Sequence, residues 1–223
     1  MEKNKKIKLA DEFSTLGKNL KIILLAGEEG IGKTHVLNEF CNEVKNDALC
    51  YYARIVEKPE FIASSVMSDL LKFLKKEIPS ARLGFVEIFG SKIAQDEDNL
   101  LSFLSLISPI KKVVLLFDDL DNCNSKFLDF LLYMSRTLKN SRIMIVATYN
   151  PLRINNKFRE FLIKLEEFGE PTLKKMHIEP LTLDETFKLV DELGYRLPGY
   201  VKTRIFEASK GNPKSIELIL LKL

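Results

Sequence analysis

Gly27-Glu28-Glu29-Gly30-Ile31-Gly32-Lys33-Thr34 follows the apolar run Ile22-Ile23-Leu24-Leu25-Ala26 and leads into Val36, Leu37, Phe40 and Val44 at helical spacing. A continuously apolar run is the signature of a strand buried on both faces, and the i, i+3, i+4 spacing that follows is that of an amphipathic helix. A turn of the form G-x-x-x-x-G-K-[ST] between two such elements reads as a phosphate-binding loop. Its glycines let main-chain N–H groups turn inward around an anion, and the next helix points its positive end at the same place. In this reading Gly27, Gly30, Ile31, Gly32, Lys33, Thr34 and His35 form the nucleotide-contacting set. Lys33 reaches the β/γ-phosphates, and the Thr34 hydroxyl ligates Mg²⁺.

Length and composition bound the possibilities. At 223 residues and 46% hydrophobic, the chain suffices for one α/β core plus a small appended unit. Its apolar runs are strand-sized, far below the ~20 residues a membrane span needs, and no signal-peptide core follows Met1, so a cytoplasmic location is expected. Thirty-four basic against 31 acidic residues give a formal charge of +3, too balanced to argue for nucleic acid on its own. The cluster Lys3, Lys5, Lys6 and Lys8 reads as a solvated end. Cys41, Cys50 and Cys123 lack metal-ligand spacing and are expected as reduced thiols, with neither zinc nor a disulfide framework.

The second informative stretch is Lys111-Lys112-Val113-Val114-Leu115-Leu116-Phe117-Asp118-Asp119-Leu120-Asp121. A buried strand that ends abruptly in carboxylates needs a reason, because unpaired buried charge is costly. A metal–phosphate site supplies one: Asp118 suits Mg²⁺, and Asp119 suits orienting or deprotonating an attacking water. Asp121 reads as a helix-start or solvent residue. A third apolar run, Arg142 to Ala147, ends in Thr148-Tyr149-Asn150-Pro151. Ligands collect beyond the carboxyl ends of parallel strands, so Thr148 or Asn150 can sense a γ-phosphate; an ordinary Asn-Pro turn is the alternative. Arg153 and Arg159 read as surface ion-pairing residues that can also lend charge to a transition state.

Between these landmarks, residues 48–55 read as a strand and residues 61–78, 100–107 and 125–138 as helices. Residues 79–99 carry no assigned chemistry. A short strand is expected over 173–178, with His177 structural rather than a ligand. Thr182-Leu183-Asp184-Glu185 forms a capping box, and Gly211-Asn212-Pro213 stops one helix and caps the next, with Asn212 as N-cap. Residues 1–180 are thus expected as the core and 181–223 as a helical lid. The abrupt helical end suggests either an excised module or a protein truncated before its output domain.

Taken together, Gly-Glu-Glu-Gly-Ile-Gly-Lys-Thr, Leu-Leu-Phe-Asp-Asp-Leu-Asp, Ile-Val-Ala-Thr-Tyr-Asn-Pro, Pro-Leu-Thr-Leu-Asp-Glu and Gly-Asn-Pro resemble the AAA+-like ATPase module of STAND proteins, the signal-transduction ATPases with numerous domains. The resemblance covers nearly the whole chain from about Leu9. It implies an α/β P-loop NTPase three-layer sandwich with parallel strand order 5-1-4-3-2 and a C-terminal helical lid closing over adenine nucleotide. It also implies ATP and Mg²⁺ as cofactors and a lid contact at Pro213. Many relatives have Arg where this chain has Asn150, a departure at the phosphate-sensing position, and His where it has Asp121, so no role is carried over to Asp121. Lys33, Asp119 and Asn150 are the candidate catalytic residues, and Thr34 and Asp118 the candidate metal ligands.

Three functions fit this reading. One is a slowly hydrolysing ATP-driven switch read by a partner domain or through self-association. Another is a DNA-handling ATPase resembling archaeal origin-binding initiators or loaders. The third is a nucleotide-binding scaffold that barely turns over. No membrane role is expected.

Overall fold

The computed structural model describes residues 9–56, 62–77, 97–169 and 172–223. The expectations for the basic N-terminal cluster and for residues 79–96 fall outside these. Five strands, β1 (Lys21–Ala26), β2 (Ala48–Arg54), β3 (Lys112–Asp118), β4 (Ile143–Tyr149) and β5 (Leu173–His177), pair in the order β2-β3-β4-β1-β5. All four pairings are parallel. This is the expected 5-1-4-3-2 order, and it sets β1 between β4 and β5, with Ala26 opposite both Tyr149 and His177.

The strands alternate between two apolar clusters, one on each face of the sheet, as the period of two demands. Ile22 and Leu24 of β1, Val113, Leu115 and Phe117 of β3, and Ile143, Ile145 and Ala147 of β4 face one cluster. Helices α3 (Ile62–Glu77), α4 (Glu97–Ile107), α5 (Ser125–Thr137) and α6 (Asn156–Glu166) fill that side with Leu70, Leu74, Leu104, Phe127, Leu131, Phe158 and Leu165. Ile23 and Leu25, Val114 and Leu116, and Met144 and Val146 face the other cluster. There α1 (Leu9–Ser14) and α2 (Lys33–Val44) supply Leu9, Phe13, Leu37, Phe40 and Val44. The central strands are therefore apolar along their length, whereas edge strand β5 carries exposed Lys174 and Lys175.

Helix α6 has no counterpart in the sequence reading. Its signal is short: Asn155 accepts from the Phe158 N–H at 2.9 Å as an N-cap, and Phe158, Phe161 and Leu165 recur on one face. The cysteines also differ from expectation. Cys41 of α2 and Cys50 of β2 are joined as a disulfide with their Cα atoms 6.0 Å apart, because α2 runs back over β2 after a tight turn. Cys123 stays free, and burial pushes its thiol up to about 12.

Three C-terminal helices, α7 (Leu183–Glu192), α8 (Gly199–Ser209) and α9 (Pro213–Leu220), have a cluster of their own built on Val190, Ile205, Ile216 and Leu220. Thr182 and Glu185 close the expected capping box, and Asn212 caps α9 with Pro213 in its first turn. Gly211 sits at φ 73°, and a Cβ there would lie 2.1 Å from the Leu181 carbonyl oxygen. Only glycine admits this approach of two backbones, which is sealed by the Leu181 N–H donating to Gly211 O at 2.9 Å. No helix among the described residues is long and apolar enough to cross a membrane.

Leu116 lies at the middle of β3 with no exposed surface, so Leu116→Ala should leave a cavity costing about 2–5 kcal/mol. At roughly 2–4 °C per kcal/mol for a chain of this size, a thermal melt should fall by at least several degrees.

Candidate functional site

The phosphate-loop sequence turns from β1 into α2 with Gly32 at the helix N-cap and Lys33 as the first helical residue. Gly30 adopts φ 77°, a conformation that disfavours any residue with a Cβ. A Cβ there would also meet Lys214 Cβ at 2.6 Å and Asn212 Oδ1 at 2.9 Å. The loop is thus glycine at this point both to turn and to admit the first turn of α9. Lys33 is 7% exposed, and its ammonium donates to the carbonyl oxygens of Gly27 and Glu28, each at 3.0 Å. His35 lies on the outer side of α2, its side chain 74% exposed and 3.4 Å from Glu39.

Asp118 ends β3 with no exposed surface, and three hydroxyls from three different elements converge on it. Thr34 of α2 donates to Oδ2 at 2.6 Å, Tyr52 of β2 to the same oxygen at 3.0 Å, and Thr148 of β4 to Oδ1 at 2.6 Å. The Thr148 hydroxyl in turn accepts from the Asp119 N–H at 2.9 Å. Parallel pairing produces this convergence: β2 and β4 flank β3, and the carboxyl ends of all three strands meet where the loop turns into α2. Burial pushes the Tyr52 phenol up, and the neighbouring Asp118 charge adds to the effect.

Asp119 has φ 57° and ψ 48°, a left-handed conformation that few non-glycine residues adopt. It precedes the 3₁₀ turn Leu120–Asn122 but makes no side-chain cap there. Its carboxylate instead pairs with Arg54 at the end of β2, 3.2 Å away. Burial raises the Asp119 pKa, the Asp118 charge raises it further, and Lys33 and Arg54 oppose the shift. A partly buried carboxyl beside a second carboxyl is the environment that prepares a group to take up a proton.

The other candidates are placed as follows. Asn150 is 6% exposed, and its side-chain oxygen accepts from the Leu152 N–H at 3.0 Å, so that oxygen serves its own Asn-Pro turn. Asp121, read from the sequence as a helix-start or solvent residue, lies in the first turn of the 3₁₀ helix Leu120–Asn122, and its carboxylate also accepts from the Asn150 N–H at 2.9 Å, tying the two strand ends together. Pro213 opens α9, whose first turn docks on the loop: the Asn212 side-chain amide donates to Glu29 O at 2.9 Å and the Lys214 N–H to Gly30 O at 3.2 Å. Glu29 receives Lys214 at 2.8 Å and Arg153 at 2.5 Å, an ion pair that matches the surface role read for Arg153. The Lys214 hydrogen bond, then the charges of Lys214 and Arg153, hold the Glu29 carboxyl below its usual range.

Tyr52, Arg54, Glu29 and Lys214 were not singled out in the sequence. For Tyr52 and Arg54 the signal was a hydroxyl and a cation at the carboxyl end of a strand, unreadable until that strand is known to lie beside β3. Among the described residues no three His, Cys, Asp or Glu side chains are grouped to hold a metal by themselves. The Thr34 hydroxyl and the Asp118 carboxylate do offer two hard oxygen donors within 2.6 Å of each other, which suits a cation completed by phosphates and water.

A model of the AAA ATPase domain family matches residues 7–146. No curated protein sequence matches the chain. Among solved structures, the chain is similar to a signal-transduction ATPase with numerous domains carrying a tetratricopeptide repeat sensor from Pyrococcus horikoshii, at 18% identity and a TM-score of 0.57, over 95% of this chain and 29% of that one. It is also similar to AMPPCP-bound DnaA from Aquifex aeolicus, at 17% identity and a TM-score of 0.58, over 100% and 63%. A third similar structure is Cdc6p from Pyrobaculum aerophilum, at 18% identity and a TM-score of 0.52, over 84% and 46%. The chain spans less than two thirds of each of these proteins, and likeness at such identities concerns the fold.

Thr148→Val should remove one donor from Asp118 and the acceptor of the Asp119 N–H while keeping the side-chain shape. Leaving buried polar groups unsatisfied costs about 1–3 kcal/mol, so a urea denaturation midpoint should fall accordingly while the far-ultraviolet spectrum of the native state is retained.

Proposed function

Because the chain belongs to the AAA ATPase domain family, we propose that it binds Mg-ATP, hydrolyses it slowly and works as a nucleotide-dependent switch of the STAND type. The observation that carries this reading is the joining of the phosphate loop to a buried strand-end carboxylate: Thr34 of the loop lies 2.6 Å from Asp118, which Thr148 and Tyr52 also hold. A structural glycine turn has no need of a buried acid with three hydroxyls assembled around it.

In this proposal the amides of Gly30 to Thr34 cradle the β-phosphate, and Lys33 leaves its carbonyl partners to meet the β/γ-oxygens. Thr34 and Asp118 would hold Mg²⁺, which when bound would supply positive charge beside the phosphates. Asp119 orients the attacking water and accepts its proton. Arg54 restrains the Asp119 carboxylate beside Asp118. Thr148, and Asn150 through the loop it folds, relay the state of the γ-phosphate into β4. Residues 1–180 act as the core, and residues 181–223 act as the lid, which meets the nucleotide near Pro213. Differential contact with the third phosphate gives a lid two positions, which an output domain, a protein partner or a second copy can read.

Isothermal titration with ATP, ADP and GTP, with and without Mg²⁺, tests the binding. Micromolar or tighter ATP binding that weakens without Mg²⁺ and is absent for GTP is expected; no binding of any of the three would sink the proposal. Asp119→Asn should retain ATP binding while lowering turnover by about 10²–10⁴-fold, the usual worth of a general base. Fluorescence anisotropy with duplex DNA at about 50 mM salt, where phosphate contacts are strong, discriminates a DNA-handling role. A salt-sensitive rise would favour that role over a switch read by protein.

The pH dependence has a definite sign. Asp119 must be ionised to accept a proton, and its pKa lies above the ordinary 3.8. Turnover should therefore fall on acidification at a pH higher than an unperturbed aspartate would give. The acid limb of a pH–rate profile measures this.

A further inference from the structure

Glu29 is the second variable residue of the phosphate loop, and the fold gives it an arrangement that phosphate binding does not require. Its carboxylate holds two cations from two other parts of the chain: Lys214 of the first turn of α9 at 2.8 Å on Oε1, and Arg153 from the segment after β4 at 2.5 Å on Oε2. The same loop also grips α9 through its backbone, with the Asn212 side-chain amide on Glu29 O and the Lys214 N–H on Gly30 O. Glu29 therefore stands as an exposed anion where the loop, the segment after β4 and the first turn of α9 meet.

From this geometry we infer that Glu29 sets the discrimination between di- and triphosphate nucleotides, by competing with the terminal phosphate for Lys214 and Arg153. The inference rests on the nucleotide-binding reading above and adds to it a residue that opposes the third phosphate. The physical basis is charge. A terminal phosphate brings about two negative charges into a loop that already carries a carboxylate, and like charges at short range repel. Both cations must then be shared or exchanged. If they turn to the phosphate, the Lys214–Glu29 contact opens and α9 moves with its lysine, so the length of the phosphate chain is read as a lid position. With a diphosphate nothing competes, and Glu29 keeps both partners.

The Glu29 side chain is 57% exposed, so Glu29→Gln is isosteric and leaves the core untouched. Titrations of the full chain with ADP and with AMPPCP, in Mg²⁺, would be compared for the wild type, Glu29→Gln, Lys214→Gln and the double variant. Removing the competing charge should raise the preference for AMPPCP over ADP by about two- to fivefold, a range in keeping with exposed ion pairs. In the Lys214→Gln background the same substitution should change that preference less than it does in the wild type, because only Arg153 is then left to exchange. Without nucleotide, hydrogen exchange of the amides of residues 212–217 should speed up severalfold in Glu29→Gln, because the lid loses its side-chain tie to the loop. An unchanged or lowered preference for AMPPCP in Glu29→Gln, with both nucleotides bound by the wild type, would overturn the role given to Glu29 alone. Failure of the wild type to bind either nucleotide, while the exchange of residues 212–217 still depends on Glu29, would instead overturn the nucleotide reading and the discrimination together.

Discussion

The Asp118 carboxylate is the point on which the rest of the structure turns. A charge with no exposed surface persists at the end of an apolar strand only if polar groups are brought to it, and here they come from α2, β2 and β4. Each of those hydroxyls is delivered by a different part of the topology. Thr34 arrives because the loop after β1 turns directly into α2, and Tyr52 and Thr148 because β2 and β4 are the two neighbours of β3. Sheet order, loop conformation and site geometry are therefore one constraint, since a different strand order would leave the acid buried and unmatched.

Around that acid the fold separates rigid from adjustable parts. The two apolar clusters lock β1, β3 and β4 from both faces, so the strand ends are held with little freedom. The three C-terminal helices have a small cluster of their own, and near the loop they are tied by Asn212, by the Lys214 N–H and by the exposed charges around Glu29. Exposed ion pairs are worth little individually. The C-terminal helices are thus joined to the loop mainly by exposed polar contacts, whereas the strand ends are held by close packing.

Asp119 shows how one residue can be both strained and positioned. Its left-handed backbone follows directly on the last strand residue, and its N–H is taken by Thr148, so the carboxylate is aimed back across the sheet toward Arg54 rather than forward as a cap. Aspartate tolerates this conformation better than most residues, but the conformation still has to be held by its surroundings. The same carboxyl has its proton affinity raised by burial and by Asp118, so backbone geometry and local charge act on one group together.

The phosphate loop, the acid-ended strand and the lid caps were legible in the sequence because each is local: glycine at fixed offsets, an apolar run broken by carboxylates, a capping box. Periodicity likewise gave the strands and most helices; α6 went unread although Phe158, Phe161 and Leu165 recur at helical spacing after the Asn155 cap. What sequence could not supply was adjacency across the chain. That Thr148 rather than the Asn150 side chain touches Asp118, that Arg54 meets Asp119, that Cys41 faces Cys50, and that Glu29 draws Lys214 from 185 residues away are matters of which strand lies beside which and where the lid folds back. Local patterns are written in neighbouring residues, while long-range partners are chosen only when the parallel sheet closes and the burial of its two faces fixes every strand end in register.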